Sequence, residues 1–235
     1  MKMKLLEFIS SLAFVLLILC IPVLIVSTTV HIYSHSTDLY RAGFDKYHIS
    51  QRTGISNIQL GDVAKQMVDY FSGMSTTPQL TVTKHGAPSP LYNEKELIHL
   101  GDVRNIVQLF TILQVASILL FIGLAVYLYF RSGLRRVLTG IQIGSIVTAA
   151  LTGILIVWAL IDFNGLFLLF HYISFTNDLW ILDPSKDYLI MMFPEGFFND
   201  AAILIVSTII GEAAIIWLAA FLIKRVTALN AGVTR

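Results

Sequence analysis

Four long apolar stretches, residues 8–30, 106–130, 134–160 and 201–223, constrain this chain more than any other feature. Crossing a bilayer's hydrocarbon core of about 30 Å takes roughly 20 helical residues, and each stretch supplies them. The remaining composition agrees. Hydrophobic residues make up 56% of the chain and charged residues 13%, where a soluble domain carries about 25% charge. A water-soluble fold of this size has no means of hiding so much apolar surface. The expected fold class is therefore a mainly all-α integral membrane protein with four transmembrane helices. The first stretch follows Lys2 and Lys4 but outruns the 7–15 apolar residues of a signal peptide and lacks an A-x-A-like cleavage site. It is expected to be a retained helix.

The scarce charges set an orientation. The segments before the first stretch, around the turn from the second to the third (131–136), and after the fourth contain eight bases and, of acids, only Glu7. The two longer polar segments, 31–105 and 161–200, contain eight bases and thirteen acids. The positive-inside rule then places both termini and the hairpin at 131–133 in the cytoplasm. The expected organisation is transmembrane helix 1 over 1–30 and an extracytoplasmic cap over 31–105. Helices 2 and 3 with their short cytoplasmic hairpin follow over 106–160. An aromatic-rich extracytoplasmic loop over 161–200 completes the site, and helix 4 with a cytoplasmic tail occupies 201–235.

Within the cap, Ser56 or Asn57 is placed to cap a helix with an apolar stripe of Ile58, Val63, Met67, Tyr70 and Phe71, closed by Gly73. Residues 80–83 suit a short strand, and the run Gly86-Ala87-Pro88-Ser89-Pro90 reads as a loop. Asn93-Glu94-Lys95-Glu96 has the form of a helix N-terminus with a capping box, expected to run unbroken into the second span.

Several functional classes are excluded or weak. A net charge of +1 gives no sign of nucleic-acid binding. The single cysteine, Cys20, rules out a disulfide framework, an Fe–S site and a cysteine-ligated zinc. The sequence has no Gly-x-Ser-x-Gly elbow and no Walker loop. His31 and His35, four apart, have a metal-compatible spacing but no His-Glu-x-x-His motif around them; no metal and no cofactor are expected. Four spans without inverted repeats offer no alternating-access machinery. Gly140-x-x-x-Gly144 signals close helix packing. Glu212, mid-span, is expected to hydrogen-bond Gln114 or Thr148, at similar depth.

The chemistry gathers outside. All six histidines (31, 35, 48, 85, 99 and 171) fall in the outward segments or at their margins, and histidine is the side chain best placed to exchange protons near neutral pH. His99 lies about two turns into the capped helix, with Glu96 and Asp102 three residues to either side, within reach on a helix surface. A carboxylate there would fix the imidazole tautomer and raise its basicity. His171 lies in a segment holding ten of the chain's 27 aromatic residues. Interfacial belts favour Trp and Tyr, yet here Phe dominates, as suits a chamber for acyl chains.

The string Tyr92-Asn93-Glu94-Lys95-Glu96-x-x-His99-x-x-Asp102-Val103 resembles a signature of a bacterial four-helix integral membrane family that includes the lipoprotein intramolecular transacylases. So does Phe170-His171-x-x-x-Phe175-x-Asn177-x-x-Trp180-x-x-Asp183-Pro184-x-x-Asp187-x-Leu189-Ile190, followed by Phe193-Pro194-x-x-Phe197-Phe198-x-Asp200. The resemblance covers essentially the whole chain.

It implies transfer of the sn-2 O-acyl chain of an S-diacylglyceryl group to the α-amino group of the same N-terminal cysteine of a bacterial lipoprotein. The product is the lyso-form. His99 and His171 would be the catalytic pair, without cofactor, metal or covalent intermediate. Asp102, Glu96 and Asn177 would orient them. Tyr92, Phe170, Phe175, Trp180, Phe193 and Phe197 would line the substrate pocket. His99, with Glu96 and Asp102 near, is the choice for base; Arg41 or Lys84 would touch substrate. The implied partners are a diacylglyceryl-modified lipoprotein and membrane lipid. The implied location is the bacterial cell membrane, with the site at its extracytoplasmic surface. Two rival readings are a metal-dependent membrane hydrolase built on His31, His35 and another histidine, and a non-enzymatic assembly factor that binds lipid or protein.

Overall fold

The computed structural model describes residues 2–84 and 86–233, so His85 lies outside the described residues. In chain order the elements are α1 (Lys2–Ser34), α2 (Thr37–Lys46), α3 (Ile49–Thr53), α4 (Asn57–Phe71), β1 (Thr81–Lys84), β2 (Ala87–Pro90), α5 (Glu94–Ser132), α6 (Leu134–Ser174), α7 (Tyr188–Met192) and α8 (Glu195–Val233). Among the described residues, four helices are long and apolar enough to cross a membrane, namely α1, α5, α6 and α8. The chain is a multi-pass membrane protein. It divides into two compact units, the first made of α1 up to Thr29, α5 from Thr111, α6 up to Trp158 and α8 from Val206. The second holds Val30–Phe110 and Ala159–Ile205.

In the first unit α5 turns into α6 at Gly133, whose φ of +82° suits only glycine without strain. Ala13, Leu17, Leu128 and Val137 form its buried core, while Leu, Ile and Val side chains along all four helices remain exposed, as a lipid-facing surface requires. Gly140 and Gly144 do pack against α1: a Cβ on Gly144 would stand 2.7 Å from that of Ile21 and 2.9 Å from the Ile18 carbonyl oxygen. Glu212 pairs differently from expectation. Its Oε2 accepts from Thr29 Oγ1 at 2.8 Å, while Gln114 Nε2 reaches Thr28 Oγ1 at 3.4 Å and Thr148 donates to the Gly144 carbonyl. A β-branched hydroxyl on the adjacent helix satisfies the carboxyl, a partner that depth along the helices alone does not reveal.

The second unit has an aromatic core. Tyr40 and Phe44 of α2, Leu60, Val63, Met67 and Phe71 of α4, and Leu100 of α5 are all buried in it. Ser56 caps α4 by accepting from the Gln59 N–H at 3.3 Å. The stripe on α4 starts at Leu60 rather than Ile58, which is 82% exposed. Ile58 precedes Val63 by five residues, well off that face at 3.6 residues per turn. Residues 87–90 are a strand rather than a loop: Pro88 and Pro90 pair with Thr83 and Thr81 in an antiparallel ladder. Proline is tolerated there because a two-stranded sheet has only edges, so a missing N–H faces outward. Asp200 of α8 accepts from Lys46 Nζ and from Tyr47 Oη at 2.6 Å, clamping α8 to α2. That pairing raises the Lys46 pKa above its ordinary value, chiefly through the Asp200 hydrogen bond.

Residues 161–174, expected as the start of a loop, are helical. The backbone of α6 breaks at Asp162, with φ −153° and ψ 81°, and the helix resumes. Asp162 Oδ1 accepts from the Gly165 N–H at 2.8 Å and so caps the resumed turn. That resumed stretch carries His171.

Candidate active site

The helix that carries His99 begins with the expected capping box. Glu96 N–H donates to Asn93 Oδ1 at 3.0 Å, and Asn93 N–H donates to Glu96 Oε2 at 2.7 Å. Glu96 is 1% exposed, and its other oxygen accepts from the Leu189 N–H at 2.6 Å. Its carboxylate therefore holds the start of α7 against the start of α5, and both of its oxygens are occupied by backbone donors. Asn93 also donates through Nδ2 to Asp187 at 2.9 Å, and Asp187 accepts from the Asp183 N–H at 2.7 Å. Lys84 donates to the Pro90 carbonyl at 2.6 Å and the Leu91 carbonyl at 2.8 Å, and its ammonium stands 3.6 Å from the centre of the Tyr188 ring. Burial lowers its pKa, with Glu96 opposing. Lys84 is thus engaged within the fold, and Arg41 lies beside Gly61.

One and a half turns along α5, His99 is buried at 7% exposure, as is His171 at 8%. Their ring centres are 6.3 Å apart, although 72 positions separate them in sequence. His171 Nδ1 lies 2.7 Å from the Phe167 carbonyl oxygen. A carbonyl only accepts, so Nδ1 must carry the proton, and a neutral His171 presents its lone pair at Nε2. His99 Nδ1 is buried and has no hydrogen-bond partner among the described residues.

Rings enclose the pair. Around His171 stand Phe167 at 4.3 Å, Trp180 at 4.8 Å, Phe170 at 5.3 Å and Phe175 at 5.5 Å, and Phe175 also meets His99 edge-on at 5.0 Å. The other expected pocket residues lie elsewhere. Phe193 and Phe197 pack on Tyr40 and Phe44 in the core, and Tyr92 is 3% exposed within the same core. Asp102 accepts from Asn177 Nδ2 at 2.9 Å, and its charge also acts on the His99 imidazole. Asn177 Oδ1 in turn accepts from the Leu179 N–H.

Phe167 touches His171 through both its ring and its carbonyl. The four-residue spacing on a helix was the available signal for it. The His31 and His35 rings lie 4.2 Å apart and tilted by 34°, and His48 is exposed at the start of α3. Among the described residues, no three His, Cys, Asp or Glu side chains are grouped to hold a metal ion.

Residues 15–198 match the family model described as lipoprotein intramolecular transacylase Lit. The chain belongs to the Lit family. It is therefore an acyltransferase-family membrane protein whose relatives act on lipoproteins. The fold is similar to that of the Bacillus cereus Lit enzyme, solved in meso, with a TM-score of 0.79 at 23% identity over 94% of this chain and 99% of that one. A variant of that enzyme with a histidine replaced by arginine gives a TM-score of 0.76 at 21% identity, covering 100% and 98%. Its alanine counterpart gives 0.77 at 22%, covering 97% and 100%. Comparison with curated protein sequences gives no match. The Lit-family segment contains both histidines but ends before most of α8.

Proposed function

We propose that this Lit-family protein moves the sn-2 acyl chain of an S-diacylglyceryl lipoprotein onto the α-amino group of the same cysteine. The observation that carries the reading is the pair of buried imidazoles, 6.3 Å apart and ringed by Phe and Trp. An α-amino group titrates near about 7.7–8.0, within reach of an imidazole base. Amine and ester belong to one molecule, so no covalent enzyme intermediate is needed. Holding them in attack geometry is worth roughly 7–11 kcal/mol.

In the proposed step the amine nitrogen attacks the sn-2 carbonyl carbon, forming the C–N bond. His171 Nε2 takes the amine proton; the Phe167 hydrogen bond supports His171 rather than His99 for this role. His99 donates a hydrogen bond to the oxyanion. The His171 imidazolium then passes its proton to the departing sn-2 oxygen as the C–O bond breaks, which returns both rings to their starting state. Asp102 orients Asn177 as a second, neutral donor, and Glu96 fixes the helix turn from which His99 projects. Phe170, Phe175 and Trp180 line the acyl-binding side, while Tyr92, Phe193 and Phe197 support it from the core. The excess of cytoplasmic-type bases in the short polar segments supports cytoplasmic termini and an extracytoplasmic site.

The test is expression with a diacylglyceryl lipoprotein, followed by mass spectrometry of its N-terminal peptide. An N-acylated lyso-form of unchanged mass is expected, and His99→Ala and His171→Ala should each abolish it. Full conversion by both variants would overturn the mechanism.

A further inference from the structure

A cavity of about 540 Å³ opens at the start of α5, within the size range of ligand sites. Asn93, Asp187, Lys95 and Lys186 line it with polar groups, and Ile181 and Leu182 with apolar ones. Lys95 stands four residues before His99 on α5, one turn away on the same face. Ile181 directly follows Trp180, whose ring lies against His171. The cavity is therefore one helical turn from His99 along α5 and one residue from the Trp180 ring that lies against His171.

Its hydrogen-bonding groups are only partly engaged. The Asp187 oxygens are taken by Asn93 Nδ2 and the Asp183 N–H. Asp183 Oδ1 is taken by Ser185, and Oδ2 lies 3.4 Å from Lys186 Nζ. Lys95 donates to the Ile181 carbonyl, and an ammonium group has three N–H donors. The unspent capacity thus includes cationic donors, which suit main-chain carbonyl oxygens, and carboxylate acceptor sites, which suit main-chain N–H groups, beside an apolar wall that suits side chains of no fixed identity.

We propose that this cavity holds the first residues of the lipoprotein chain after the acylated cysteine, extended, with Lys95 and Lys186 donating to their main-chain carbonyls. The proposal rests on the transacylase reading. A lipoprotein substrate has two different ends to place: acyl chains, which match the rings around His171, and a polypeptide, which must leave on a polar side. Contacts to main-chain carbonyls accept many sequences. They also fix the cysteine from one side, so binding energy away from the ester serves its orientation.

The test uses the full-length protein and two synthetic substrates: S-diacylglyceryl cysteine amide, and the same group on a cysteine followed by a short uncharged peptide. The wild type is expected to show a KM roughly tenfold lower for the tailed substrate. The double variant Lys95→Ala/Lys186→Ala, and separately Ile181→Trp, which fills the cavity from an exposed position, are expected to raise the tailed substrate's KM and erase the gap. Lys65→Ala, on the exposed face of α4, should preserve it. Equal KM values in the wild type, or a gap that survives both sets of variants, would overturn the proposal. A wild type that converts neither substrate overturns the transacylase reading itself.

Discussion

Asn177 and Asp102, 75 positions apart in sequence, meet at 2.9 Å through Asn177 Nδ2 and Asp102 Oδ2. Asp102 lies one turn beyond His99, and Asn177 follows His171 by six residues, so this bond links the two histidine-bearing segments. Hydrogen bonds to a charged partner contribute about 1.5–3 kcal/mol. Asp102→Ala should therefore slow conversion about tenfold to a hundredfold, while Asp102→Asn, which keeps an acceptor, should recover most of the rate. Initial rates of lyso-form production read the difference.

Asn177→Asp places a second carboxylate against Asp102. Like charges at hydrogen-bond distance repel, so this variant should lose more activity than Asn177→Ala despite its closer shape. The opposite ranking in the same rate assay would mean that Asn177 acts away from Asp102.

His171→Asn preserves a donor near the position of Nδ1, and with it a bond to the Phe167 carbonyl, while removing Nε2. It should fold normally and lose activity by a factor on the order of 10²–10⁴, the usual contribution of a general base. Thermal unfolding in detergent, measured alongside the rate, separates the chemical loss from a structural one.

Glu96→Ala removes acceptors from both the Asn93 and Leu189 N–H groups. Leaving buried donors unpaired costs about 1–3 kcal/mol each. A clear fall in thermal midpoint is expected, with Glu96→Gln intermediate because an amide oxygen satisfies only one of the two donors.

Gly144→Ala drives a methyl group into the side chain of Ile21 and the Ile18 carbonyl, both nearer than 3.0 Å. Gly153→Ala meets nothing within 4 Å. The first should lower thermal stability or the yield of folded protein in the membrane, and the second should leave both unchanged or improved.

The sequence made the four spans, the Asn93–Glu96 cap and the two histidines legible because each depends on local pattern: apolar length, capping spacing and motif. Pairings across the chain were less legible. The helical neighbourhood of His99 pointed Asp102 and Glu96 at the imidazole, and the charge of Asp102 does act on it, but the hydrogen-bond partners of the two carboxylates include Asn177 and the Leu189 N–H, which are remote in sequence. Phe193 and Phe197 carry the same chemistry as Phe170 and Phe175, so composition does not tell core from pocket; packing on Tyr40 and Phe44 does. The prolines at 88 and 90 hid a strand because proline argues against pairing everywhere except at an edge.

The break at Asp162 also carries a demand on its surroundings. Where a helix is interrupted, the preceding carbonyls lose their partners one turn ahead, and hydrocarbon offers no replacement. Asp162 is exposed, so its segment calls for water or headgroups there. His171 stands nine residues past it, roughly 13 Å farther along the resumed helix, so the stretch that positions the imidazole starts from a polar anchor rather than from the middle of an apolar span.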